Sequence, residues 1–139
     1  MAQRGNSERQ VDVATIAWIE DNYKNIGSLV KLLERDGHAI LPFGSLQEVE
    51  KEIETICASD AVILDIILPV IEDDPYLGIS ALKLIRKRQK HQVPIVVCSG
   101  VSDPEVLRRL EELGVTEILL KPVRPSVLYS VVIKAMGGY

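Results

Sequence analysis

Four separate apolar runs each end on a polar group. Glu20 and Asp21 follow VATIAWI (13–19), Asp65 closes AVILD (61–65), Ser99 closes IVVCS (95–99) and Lys121 follows EILL (117–120). If these ends meet, three carboxylates converge, and each raises the others' pKa unless a cation sits among them. Mg²⁺ suits such a site: it takes hard oxygen ligands, keeps several waters, and is often shared between one or two carboxylates and a phosphoryl oxygen. Asp21 and Asp65 fit direct ligation, with Glu20 acting through water. Lys121 pairs with Asp65 while the site is bare and with a phosphoryl oxygen once one arrives. Ser99 offers that same group one hydroxyl hydrogen bond. A carboxylate can also be the nucleophile in phosphoryl transfer, with metal and lysine spreading the charge. Asp65 therefore reads as a phosphoryl acceptor at an exposed strand end.

These residues meet only if the runs are parallel strands, because chemistry in open parallel sheets collects beyond the carboxyl ends. The pattern agrees: short apolar runs alternate with segments of helical period, an α/β signature. Strands are predicted at 13–19, 38–43, 61–66, 95–99 and 117–120, with the second near an edge because of Pro42. Helices are predicted over 23–35, with Ile26, Leu29, Val30 and Leu33 as its stripe, and after Ser45, whose spacing to Glu48 suits a capping box. A third spans 79–90, a fourth starts at Asp103–Pro104 and ends at Gly114, and a fifth opens at Pro125. The fold class is thus a doubly wound five-stranded parallel sheet flanked by five helices. Residues 12–139 make one domain after a loose tail, 1–11.

The chain has 139 residues, 47% of them apolar and 26% charged, which matches a globular domain with a packed core. A net charge of −4 and a pI near 5.2 disfavour direct contact with nucleic acid. The polar start and the lack of an apolar run of about 18 residues point to a cytoplasmic protein with no membrane partner. Cys57 and Cys98 lie in apolar stretches and read as buried thiols. Trp18 reads as core and Tyr129 as half-buried. His38 and His91 fall at predicted surface turns with no ligand spacing around them. Lys83, Arg86, Lys87, Arg88 and Lys90 form what reads as a solvated helix face.

The acidic pair in IEDN, the aspartate and proline in LDIILP, the hydroxyl residue in IVVCSG and the lysine in LLKP resemble the receiver domain of two-component response regulators, the CheY-like family. The resemblance covers essentially the whole ordered chain. It implies that Asp65 takes a phosphoryl group, with Mg²⁺, from a sensor histidine kinase or histidine phosphotransfer protein. It also implies that the Ile67 backbone carbonyl is a metal ligand and that Ser99 reorients on phosphorylation. The face made by 104–114, 117–120 and 125–136 would then change its affinity for a downstream protein. Such a domain assists its own phosphotransfer and dephosphorylation without being an enzyme.

Two departures stand out. Ile118 occupies the position where the family commonly has Tyr or Phe, and an aliphatic chain cannot report by hiding or exposing a ring. Switching then uses other side chains or is muted. VIEDDPYL (70–77) adds about five residues beside Asp65; a tolerated surface insertion is favoured over a role for Glu72, Asp73 and Asp74 in docking or metal entry. Ile67 and Val101 offer nothing to orient a hydrolytic water, so self-dephosphorylation is expected to be slow.

Other readings fit less well. A phosphatase of the haloacid dehalogenase type needs a second aspartate where Ile67 stands, and a cap. A flavodoxin-like or dinucleotide-binding domain needs a phosphate loop where EDNYKN is acidic. The serious alternative is a pseudo-receiver, an interaction module that is not phosphorylated. Monomer and phosphorylation-dependent dimer both remain open, with a switchable interface placed on the last two helices.

Overall fold

A computed structural model describes residues 13–20, 27–66, 77–100 and 102–137. Five strands, β1 (Thr15–Ile19), β2 (Ala39–Phe43), β3 (Ala61–Asp65), β4 (Ile95–Ser99) and β5 (Glu117–Leu120), form one sheet in the order β2-β1-β3-β4-β5. Every neighbouring pair is parallel. Between them run α1 (Gly27–Arg35), α2 (Leu46–Lys51), α3 (Ile53–Cys57), α4 (Leu77–Arg88), α5 (Pro104–Glu112) and α6 (Pro125–Ala135).

Side-chain alternation along the strands divides the core between the two faces. Ile16, Trp18, Ile63, Val96 and Cys98 pack with Val30 and Leu33 of α1 and Leu128 and Val132 of α6. On the other face Ala17, Ile19, Val62, Leu64 and Val97 pack with Val49 of α2, Ile53 and Ile56 of α3, Leu82 and Ile85 of α4, and Val106 and Leu110 of α5. β3 and β4 are buried along their whole length, as inner strands covered on both faces must be. β2 is an edge strand, as Pro42 requires.

Local signals explain several element ends. Ser45 Oγ accepts from Glu48 N at 3.2 Å, while Glu48 Oε1 reaches back to the Gly44 N–H at 2.9 Å, a capping box displaced by one residue. Asp103 caps α5 by accepting from Glu105 N at 2.8 Å, with Pro104 in the first turn. Gly37 and Gly114 follow α1 and α5 with φ of 90° and 73°, a conformation that favours glycine.

Three expectations need correction. The second predicted helix is two, α2 and α3, because Glu52 leaves helical geometry at φ −112°, ψ 29°. The described residues therefore hold six helices rather than five. The apolar stripe runs through the break unaltered, with Val49, Ile53 and Ile56 all buried, and no Gly or Pro marks it in the sequence. His38 is not at a surface turn. It is 5% exposed, and its Nδ1 accepts from Ala14 N at 3.2 Å, tying the start of β1 to the turn before β2. Arg86 is not part of a solvated face, although Lys83, Lys87, Arg88 and Lys90 are exposed. Its guanidinium turns inward onto backbone carbonyls.

Trp18 is core and His91 is exposed. Tyr129 is half-buried and donates to the Asp36 carboxylate, joining α6 to the end of α1. The tail 1–11, Ile26, the acidic run Glu72–Asp74 and Val101 lie outside the described residues.

Candidate functional site

The sheet order reverses between β1 and β3: from β1 the chain moves outward to β2, and from β3 it moves the other way to β4 and β5. Connections leaving in opposite directions open a crevice at the carboxyl ends of those two strands. Glu20 stands one residue past β1, where its N–H donates to Phe43 O at 3.0 Å. Asp65 ends β3, in register with Cys98 on β4. Both acids are nearly buried, at 6% and 5% exposure, which corrects the exposed strand end expected for Asp65: β3 is an inner strand, covered to its last residue.

Lys121 reaches them from the far side. Its backbone N–H donates to Ser99 O at 2.7 Å, which ties the end of β5 to the end of β4. Its Nζ lies 3.3 Å from Asp65 Oδ2 and 3.6 Å from Glu20 Oε1. The peptide that follows, Lys121–Pro122, is cis. Burial is the largest single influence on the ammonium and pulls its pKa down. Asp65 and then Glu20 pull it up and together prevail, so Lys121 is held as a cation above its ordinary 10.5. Ser99 is fully buried beside this group.

Beneath it, burial pushes the Cys98 thiol up to about 12; Lys121 draws it down, and Asp65 and Glu20 raise it further. The Cys98 thiol is thus held in its unreactive, protonated form.

Glu20, Asp65, Ser99 and Lys121 are therefore brought to one edge by four different strand ends. Asp21 and the Ile67 carbonyl lie outside the described residues, so no cluster of three metal-ligating side chains is found among the described ones. The donors that are present fit a hard cation. Two nearly buried carboxylates, Glu20 and Asp65, meet beside the Lys121 ammonium and bring the hard oxygen donors that Mg²⁺ prefers. Ile118, on β5, is half-buried against the core on the α2–α5 face of the sheet.

One residue at the site escapes a reading of polar groups. Gly78, in the first turn of α4, donates its N–H to Ile66 O at 2.9 Å. A Cβ there would lie 2.5 Å from the backbone oxygens of both Asp65 and Ile66. The helix thus touches the end of β3 backbone to backbone, and only glycine permits that approach. The lone signal in the sequence is a glycine at the start of an apolar helix.

An open parallel α/β sheet with acids, a hydroxyl and a lysine at its switch-point crevice defines a doubly wound α/β domain with a polar site beyond the carboxyl ends of its strands. The chain belongs to the response regulator receiver domain family, whose model matches residues 16–133. It is 31% identical over 114 residues to the sensory/regulatory protein RpfC of Xanthomonas campestris pv. campestris, covering 78% of this chain and 15% of that protein. It is 27% identical over 128 residues to the CAI-1 autoinducer sensor kinase/phosphatase CqsS of Vibrio cholerae, covering 91% of this chain and 17% of that protein. The chain thus spans a small part of these relatives.

Among solved structures, a CheY-like receiver domain protein from Methanospirillum hungatei superposes with a TM-score of 0.77 at 20% identity, over 91% of this chain and 95% of that one. The receiver domain of a Pseudomonas aeruginosa sensor histidine kinase, which has a magnesium ion coordinated in its active-site cleft, gives 0.70 at 21% identity, over 91% and 100%. The protein is accordingly a receiver domain of two-component signalling. No described helix is long and apolar enough to cross a membrane.

Proposed function

We propose that this receiver accepts a phosphoryl group on Asp65 from a phosphohistidine of a sensor histidine kinase or a histidine phosphotransfer protein, with Mg²⁺ bound at the same crevice. The observation that carries this reading is the Lys121 ammonium held 3.3 Å from Asp65 and 3.6 Å from Glu20 at the switch point. The pair sets a cation beside the carboxylate oxygens, where charge would gather as a phosphoryl group is transferred to Asp65.

Glu20 and Asp65, with Asp21 and the Ile67 carbonyl, would hold the metal, which supplies charge neutralisation for the transferring group. In the transfer an Asp65 carboxylate oxygen forms the new bond to phosphorus as the bond from phosphorus to the donor imidazole breaks. Lys121 then shifts its pairing from the carboxylate to a phosphoryl oxygen, and Ser99 turns its hydroxyl toward the same group. Output follows as a changed affinity for a downstream protein, or for a second copy of the chain, in the cytoplasm.

The test is intact-protein mass after incubation with Mg²⁺ and acetyl phosphate, beside Asp65→Asn. One added phosphoryl group on the wild type and none on the variant is the expected result. No addition from this donor or from a phosphorylated histidine protein would mean a pseudo-receiver that works by constitutive binding.

A further inference from the structure

Charge is sorted unevenly over the side of the sheet that carries α2, α3 and α4. Residues 77–102, which include all of α4, hold five basic residues and no acidic one. Residues 47–60, which include α3 and nearly all of α2, hold five acids against one base, Lys51. Lys83, Lys87 and Lys90 are exposed in the first segment, and Glu50, Glu52 and Glu54 in the second. Both α2 and α3 touch α4, and all three helices pack on the same side of the sheet. An acidic strip thus lies directly beside a basic one.

Little of this charge is met within the molecule. Arg86 turns inward onto backbone carbonyls, and Arg88 lies 3.5 Å from Glu54 across the border between α3 and α4. Among the described residues that is the one ion pair joining the two strips. Lys83 and Lys87 stand one turn apart on a helix that carries no acid, a spacing at which like charges repel. α5 is built the other way: Arg108 pairs with both Glu105 and Glu112, so its charges are matched inside one helix.

Adjacent strips of opposite sign are complementary to themselves. The connections from β2 to β3 and from β3 to β4 cross the same side of a parallel sheet, so α2–α3 and α4 run side by side in the same sense. A half rotation about an axis along the seam between them lays the lysines of α4 over the acids of a second copy, and that copy's lysines over the acids of the first. Leu84, one turn before Arg88, is half-buried and gives the seam an apolar side chain.

We propose that the α2–α3–α4 face is a charge-paired interface with a second copy of this chain. The contact closes at two chains, uses none of α5, β5 and α6, and holds whether or not Asp65 accepts a phosphoryl group.

Sedimentation of the full chain without phosphodonor, up to millimolar protein, tests it. At about 20 mM salt the wild type should form a dimer, and about 300 mM salt should weaken that dimer by about tenfold or more. Lys83→Glu with Lys87→Glu reverses the middle of the basic strip, and Glu50→Lys with Glu54→Lys reverses the middle of the acidic one. Each double variant alone should sediment as a monomer. Mixed in equal amounts they should form a dimer, because each then meets its opposite at the exchanged positions. Mixing repairs a charge contact and not a damaged fold.

A wild type that stays monomeric at low salt would overturn the proposal and leave the lysines to an acidic segment of another protein. A dimer indifferent to salt, or a mixture that stays monomeric, would overturn it as well. So would oligomers that keep growing with concentration, since an isologous contact stops at two. Should a double variant fail to fold, Lys87→Ala should weaken the low-salt dimer by about fivefold, and an unchanged dimer there would be equally fatal.

Discussion

Replacing Gly78 by alanine adds one methyl group at the contact between α4 and the end of β3. That carbon would sit 2.5 Å from Asp65 O, 2.5 Å from Ile66 O and 2.6 Å from Ile66 Cα. All three are backbone atoms, so none can swing aside. Restoring a carbon contact of about 3.5 Å requires α4 to withdraw by about 1 Å, against the Gly78 N–H bond to Ile66 O. Overpacking of this kind costs about 3 kcal/mol at the upper end of its usual range. Alanine's better helix propensity returns at most about 1 kcal/mol. The net loss is about 2 kcal/mol, which for a domain of this size lowers Tm by about 8 °C.

The displaced carbonyls flank the Asp65 side chain, so phosphorylation by acetyl phosphate should also slow by about 10- to 100-fold in the folded variant. Gly100→Ala is the control. It adjoins the same site, its φ is not in the left-handed range, and its Cβ meets nothing within 4 Å, so stability should change by less than about 0.5 kcal/mol. Thermal and urea unfolding with intact mass measure both quantities. A Gly78→Ala variant as stable as the wild type, phosphorylated at the same rate, would refute the reasoning.

Mg²⁺ at ten times its dissociation constant should stabilise the wild type by about 1.4 kcal/mol, and Asp65→Asn should erase most of that gain in a thermal titration. Lys121→Met removes the ammonium that pairs with both Glu20 and Asp65. It should lower Tm in chelator and make stability more dependent on Mg²⁺ than in the wild type. Cys98, with its pKa raised from 9.0 to about 12, exposes about one thiolate in ten thousand at pH 8, so iodoacetamide should label it only after unfolding. Because the folded pKa is raised, its contribution to stability is full below pH 9 and falls as pH rises through 9 towards about 12. Cys98→Ala should flatten that alkaline fall. The phosphorylated protein should lose its label slowly when no phosphatase is present, because Ile67 and Val101 are apolar, and rapid loss would sink that expectation.

Much of this architecture was legible in residue order alone. Strand positions followed from short apolar runs that a two-sided parallel sheet must bury, and β4 and β5 fall at 95–99 and 117–120 as that pattern predicts. Asp103–Pro104, Pro125 and Gly114 marked helix ends because capping and φ preferences act within a turn. Glu20, Asp65, Ser99 and Lys121 were legible because parallel strands send their carboxyl ends to one edge, and that geometry needs no distances.

Other features depend on which surfaces meet in space. Nothing within a few residues of Arg86 distinguishes it from Lys83 or Lys87; its inward turn depends on carbonyls at 113 and 114, supplied by a different helix end. His38 is buried because its Nδ1 faces Ala14 N, which lies 24 residues earlier in the chain. Glu52 breaks a helix whose apolar spacing runs on without interruption. Gly78 could be seen as a helix-start glycine, but the approach of its backbone to Asp65 could not. Sequence by itself thus determined the elements, their order and the polar groups at the crevice, since periodicity and capping are local and sheet topology has few solutions. The 3.3 Å and 3.6 Å reach of Lys121, the inert thiol beneath it, the close seat of α4 and the anchoring of α5 came only with the folded chain. Each depends on contacts between segments far apart in sequence, which no local pattern encodes.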